Sequence, residues 1–163
     1  MSCGFFKSYT SNDLVGLEVC GCLKNLLSLG GGIVEGLGYG SNTMAAYITR
    51  GAMEIQLLAR HYGADPKTIL GLAGVGDLML CCYGSLSRNR TCGYKIAKGM
   101  TVEEAVKSIG TVEGVPTLTV IHKFIVEKGL EDKLKIIKYD MAQLGPSMTS
   151  CTRTSISKTP RST

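Results

Sequence analysis

The chain is predicted to be mostly α-helical, and three observations carry that prediction. Apolar residues recur at three- and four-residue steps, the spacing that lines one face of a helix. Capping and stop residues stand at the ends of those stretches. No sustained period-two alternation and no Asn-Gly hairpin turn marks a strand.

Taken in order, Gly21-Cys22-Leu23-Lys24-Asn25 followed by Leu26, Leu27 and Leu29 reads as an apolar helix with a lysine inside it. The longest apolar run, Leu26 to Val34, is far short of the roughly 20 residues that a membrane span needs. Ser41 or Asn42 caps a second helix reaching about Tyr62, with Ala45, Ile48, Ala52, Ile55 and Ala59 on one face and Gly63 as its stop. Asp65-Pro66 pairs a cap with a proline at the first helical position and opens a short helix through Leu72. Thr101 and Glu104 form a capping box ahead of Ala105, Val106 and Ile109. Pro116 opens another helix that carries Leu118, Ile121, Phe124 and Ile125 up to Gly129. From about Gly145 the composition turns to Ser, Thr, Lys, Arg and Pro with little to bury, which predicts a disordered tail over 145–163.

With 163 residues, 44% of them hydrophobic, the chain can bury one real core. Lys7, Asn12 and Asp13 interrupt any signal-peptide core near the start, so a soluble protein without a membrane partner is expected. The seven cysteines are expected as reduced thiols. Cys20 and Cys22 with Cys81 and Cys82 suit zinc poorly, because structural sites use C-x2-C pairs, so no metal is expected. The net charge of +5 is diffuse and aromatics make up only 6%, which argues against a nucleic-acid partner.

Three places can hold chemistry. Lys24 within apolar sequence loses hydration if buried, which lowers its pKa toward the range useful for proton transfer; alternatively its ammonium reaches water along the helix surface. Gly71-Leu72-Ala73-Gly74-Val75-Gly76-Asp77 allows tight turns and close backbone approach beside one carboxylate, which holds a substrate hydroxyl, orients the lysine, or is an ordinary cap or turn aspartate. Ser87-Arg88-Asn89-Arg90 offers guanidinium forks at the start of a possible helix, suited to an anion or merely to a solvated turn. No G-x-G-x-x-G and no G-x-x-x-x-G-K-[ST] occurs anywhere, so no dinucleotide or phosphate loop is expected in these residues.

The motifs GLEVCGCLKNLLSLGGGIVEGLGYGSNTMAAYITRGAMEI, GLAGVGDLMLCCYGSLSRNR and VEGVPT together resemble NAD(P)-dependent glycerol-3-phosphate dehydrogenase, over roughly Asp13 to Gly129. The resemblance implies the helical C-terminal domain of the glycerol-3-phosphate and 6-phosphogluconate dehydrogenase type over 13–144. It makes 1–12 the end of a nucleotide-binding domain that these residues otherwise lack. It implies a soluble, cytoplasmic, homodimeric enzyme that interconverts glycerol 3-phosphate and dihydroxyacetone phosphate with NAD or NADP. By the same resemblance Lys24 is the catalytic proton donor and acceptor, and Asp77, Ser87, Arg88 and Asn89 join it in binding substrate. Arg88 and Glu113 touch the cofactor. Cys81 stands where that family has threonine, and the stretch from Leu130 onward lacks the family's proline-led entry to a last apolar helix. Without a nucleotide-binding half the chain is expected to have little activity of its own. The competing expectation is a non-catalytic helical remnant that dimerises.

Overall fold

The computed structural model describes residues 3–144, and among them the only β pairing is an isolated bridge between Cys3 and Phe6. The helices are α1 (Leu14–Gly36), α2 (Ser41–His61), α3 (Pro66–Ile69), α4 (Asp77–Tyr83), α5 (Arg88–Ala97), α6 (Val102–Ile109), α7 (Gly114–Lys128) and α8 (Lys135–Leu144), with a π-helical turn at Leu72–Gly76. The mostly α expectation holds. The tail expected to be disordered lies outside the described residues.

The fold is organised around α1. Asp13 caps it by accepting from the Gly16 N–H at 2.8 Å, and its second oxygen accepts from the Asp65 N–H at 2.9 Å. One carboxylate thus ties the start of α1 to the start of α3. The run that seemed short in sequence is the middle of a 23-residue helix, long and apolar enough by length and composition to cross a membrane. In this fold it is the core. Leu26, Leu27 and Leu29 are fully buried, and α5, α2, α4 and α7 pack around the helix.

The α1 and α5 backbones touch. A Cβ on Gly32 would stand 1.9 Å from the Arg90 carbonyl oxygen, and one on Gly93 would stand 1.8 Å from that of Leu29. Glycines that match no nucleotide loop therefore have a packing role: they bring the start of α5 beside the middle of α1.

Several boundaries differ from the sequence reading. Gly40, with extended backbone, caps α2 in place of Ser41 or Asn42, and Gly63 ends it at φ +82° as expected. The helix at Pro66 stops at Ile69 instead of Leu72, because Gly71 turns extended and a π-helical turn follows. Close backbone approach does occur in that glycine cluster, since a Cβ on Gly74 would meet the Ile69 carbonyl oxygen at 1.9 Å. The Thr101–Glu104 capping box forms as expected. α7 begins at Gly114, so Pro116 lies within its first turn, where N–H groups lack intrahelical partners anyway.

The region around Lys133, Lys135 and Lys138 holds α8, which the sequence reading did not anticipate. Leu134 and Ile137 are buried while the lysines face out. Glu54 on α2 reaches across to accept from the Ile136 and Ile137 N–H groups at 2.7 and 2.8 Å, capping α8 from another helix.

Candidate active site

Lys24 and Asn25 occupy one turn of α1, at the level where α4 and α5 converge on it. Lys24 donates to Asp77, the first residue of α4, and both side chains are partly exposed. Desolvation pushes the Lys24 pKa down, but the hydrogen bond and charge of Asp77, with help from Cys81 and Glu113, outweigh it and leave the pKa raised. The fall toward neutrality that burial alone would bring does not occur, because Asp77 holds the ammonium. Lys24 is an ammonium at neutral pH and therefore a proton donor.

The Cys81 thiol donates to the other Asp77 oxygen at 3.6 Å, so both carboxylate oxygens are engaged. Burial and the Asp77 charge raise the Cys81 pKa, against a lowering pull from Lys24. That keeps it a thiol. Of the other cysteines named above, Cys20 and Cys82 are buried and Cys22 is exposed.

The second half of the site is the start of α5. Ser87 caps it by accepting from the Arg90 N–H at 3.3 Å. Arg88 projects into solvent and makes no hydrogen bond or ion pair with the described residues. Arg90, by contrast, donates to Glu35 of α1 at 2.6 Å, so one arginine of the motif fastens the two helices while the other is free for a ligand. Asn89 is buried, accepts from the Gly114 N–H at 2.9 Å and donates to the Asn25 side-chain oxygen at 3.0 Å. Asn25 in turn donates to Glu113 at 2.8 Å. An amide chain therefore links α1, α5 and the start of α7.

Of the six residues singled out from the sequence, Lys24, Asp77 and Ser87 are joined through Cys81 and Ser28, and Asn89 and Glu113 are joined through Asn25, while Arg88 stands at the start of α5 without a partner among the described residues. Asn25 and Ser28 were not among the six, although both take part in these hydrogen bonds. Asn25 directly follows Lys24, and Ser28 lies four residues on, where a helix returns to the same face. That spacing was the available signal for Ser28.

The arrangement can do two things. An ammonium held by a carboxylate can give a proton to an oxygen, and a free guanidinium at a helix start can hold a phosphate. A hollow of about 220 Å³ is lined by Leu23, Leu58, Tyr62, Ile121 and Phe124 among others and includes none of these groups. The chemistry lies instead on an open surface.

Comparison with known proteins agrees with the motifs and the helical fold. The family described as NAD-dependent glycerol-3-phosphate dehydrogenase C-terminus matches residues 13–152. A glycerol-3-phosphate dehydrogenase [NAD(P)+] of Alkalilimnicola ehrlichii is 48% identical over 126 residues, which are 77% of this chain and 38% of that protein. One from Bifidobacterium longum is 54% identical over 114 residues, 69% of this chain and 34% of the relative. The crystal structure of the Coxiella burnetii glycerol-3-phosphate dehydrogenase superposes with a TM-score of 0.73 at 34% identity, over 83% of this chain and 46% of that one. The chain spans less than half the length of each of these proteins. With its motifs and helical fold in agreement, the chain belongs to the family of NAD-dependent glycerol-3-phosphate dehydrogenase C-terminal domains.

Proposed function

We propose that these residues form the substrate half of an NAD(P)-dependent glycerol-3-phosphate dehydrogenase, interconverting glycerol 3-phosphate and dihydroxyacetone phosphate. The Lys24–Asp77 pair carries the reading, because it holds a charged proton donor in a chain of this family that also presents an exposed arginine at the start of α5. Arg88 holds the substrate phosphate, and Ser87 and Asn89 fix the start of the helix that presents it. Asp77 aims the Lys24 ammonium at the C2 oxygen of dihydroxyacetone phosphate, to which Lys24 gives a proton during reduction; in the reverse direction Lys24 takes it back.

The residues fit the edge of a nicotinamide cofactor. Arg88 has a fork of donors without a partner among the described residues and suited to an anion, and Glu113 is an exposed carboxylate already tied to Asn25. When bound, the cofactor supplies or accepts the hydride at C2. An open site of this kind needs a wall from further residues, which agrees with the partial coverage of the relatives, and little turnover is expected of these residues alone. The reading extends to a cytoplasmic homodimer without nucleic-acid or membrane partners. Exposed apolar side chains at Leu70, Leu72, Leu80 and Leu86 support an apolar contact surface, and gel filtration tests the dimer.

Joining the chain to a nicotinamide-binding domain and following NADH oxidation with dihydroxyacetone phosphate tests the reaction. Lys24→Met should then lower kcat by about 100-fold or more, the usual contribution of a positioned acid. Undiminished turnover in that variant would remove Lys24 from the chemistry.

A further inference from the structure

The geometry points to Ser28 as a positioning residue that fixes the direction of the Ser87 hydroxyl proton and so aims the start of α5; the consequence for ligand binding rests on the function proposed above. Ser28 is fully buried, one turn beyond Lys24 on α1. Its hydroxyl donates to the Cys81 carbonyl oxygen at 2.8 Å, and its oxygen lies 2.8 Å from that of Ser87. A hydroxyl has one proton, and a carbonyl has none to give. The Ser28 proton therefore lies toward Cys81, and the contact between the two serines is satisfied when Ser87 donates. The Ser87 oxygen meanwhile accepts the Arg90 N–H. With its proton turned toward α1, Ser87 has no donor left for an anion.

Two consequences follow for the site. Ser87 acts on the substrate through the helix it caps, in place of the direct grip that family resemblance implies, and Arg88 is the phosphate donor. Ser28 also satisfies one of the last carbonyls of α4, which lack intrahelical partners. One buried hydroxyl thus joins the end of α4, which carries Asp77 and Cys81, to the start of α5, which carries Arg88 and Asn89. It does so on the face of α1 that presents Lys24.

Backbone hydrogen exchange on the ligand-free chain tests this link directly. Ser28→Ala should speed exchange of the Arg90 amide about tenfold, the effect of a weakened cap, while the Glu104 amide, capped by Thr101 in α6, stays unchanged. Ser28→Cys restores a weaker donor in the same place and should fall between. An Arg90 amide that exchanges equally fast in wild type and Ser28→Ala would overturn the inference. A calorimetric titration with glycerol 3-phosphate supplies the second arm. Ser87→Gly, which keeps a tolerated cap residue, should change Kd by less than about threefold. A loss of about tenfold or more would mean that Ser87 donates to the ligand and would also overturn it. No binding by the wild-type chain, with the exchange result intact, would remove the substrate reading and leave the role of Ser28 standing.

Discussion

Gly93 on α5 lies so close to Leu29 on α1 that a Cβ there would stand 1.8 Å from the Leu29 carbonyl oxygen. The obstacle is helix backbone, which cannot swing aside as a side chain can. Gly93→Ala is expected to destabilise the fold by about 3 kcal/mol, the upper end of ordinary overpacking. Gly21, in the same α1, has open space where its Cβ would be, so Gly21→Ala should stabilise by about 0.5–1 kcal/mol through helix propensity. Thermal or urea unfolding of both variants checks the contrast. Equal effects would contradict close helix contact as the device that assembles the site.

The Lys24–Asp77 pair predicts a pH dependence. The folded-state pKa of Lys24 is raised above the unfolded value of 10.5. Its contribution to stability is therefore fully present below that unfolded value and is lost as pH rises through the folded one. Asp77→Asn removes the main opposing force to desolvation and should lower the Lys24 pKa. An NMR titration of the lysine side chains in wild type and variant would show it; an unmoved Lys24 titration contradicts the pairing.

The cap that Glu54 places on α8 predicts a local effect. Glu54→Ala removes two hydrogen bonds at 2.7 and 2.8 Å and should cost about 1–2 kcal/mol. Limited proteolysis should then cut first near Lys135. Unchanged cleavage there would mean that α8 is held by Leu134 and Ile137 alone.

The legible parts of the sequence were those with local causes. The Thr101–Glu104 box and the stops at Gly63 and Gly129 need only a few neighbouring residues, and each forms where the sequence indicates. The start of α2 and the end of α3 were misplaced because Gly40 and Gly71 set them through backbone conformation, without a side-chain signal. α8 was missed because its cap comes from Glu54, more than eighty residues away in sequence. The site shows the same division. Lys24 and Arg88 stand out as charges in informative surroundings, whereas the raised Lys24 pKa depends on Asp77, brought in from fifty-three positions along the chain. The role of Ser28 depends on two partners that no local spacing reveals.

A preformed phosphate site at the start of α5, serving the same substrate as the Lys24 ammonium, is what the proposed function requires. The most direct test is the melting temperature of the chain with and without dihydroxyacetone phosphate, with Arg88→Ala as the control. Binding to the native state alone raises stability, by about 2.7 kcal/mol at a ligand concentration one hundred times Kd. A ligand-dependent rise that Arg88→Ala abolishes is expected. An unchanged melting temperature in wild type, or a rise that survives in Arg88→Ala, would contradict it.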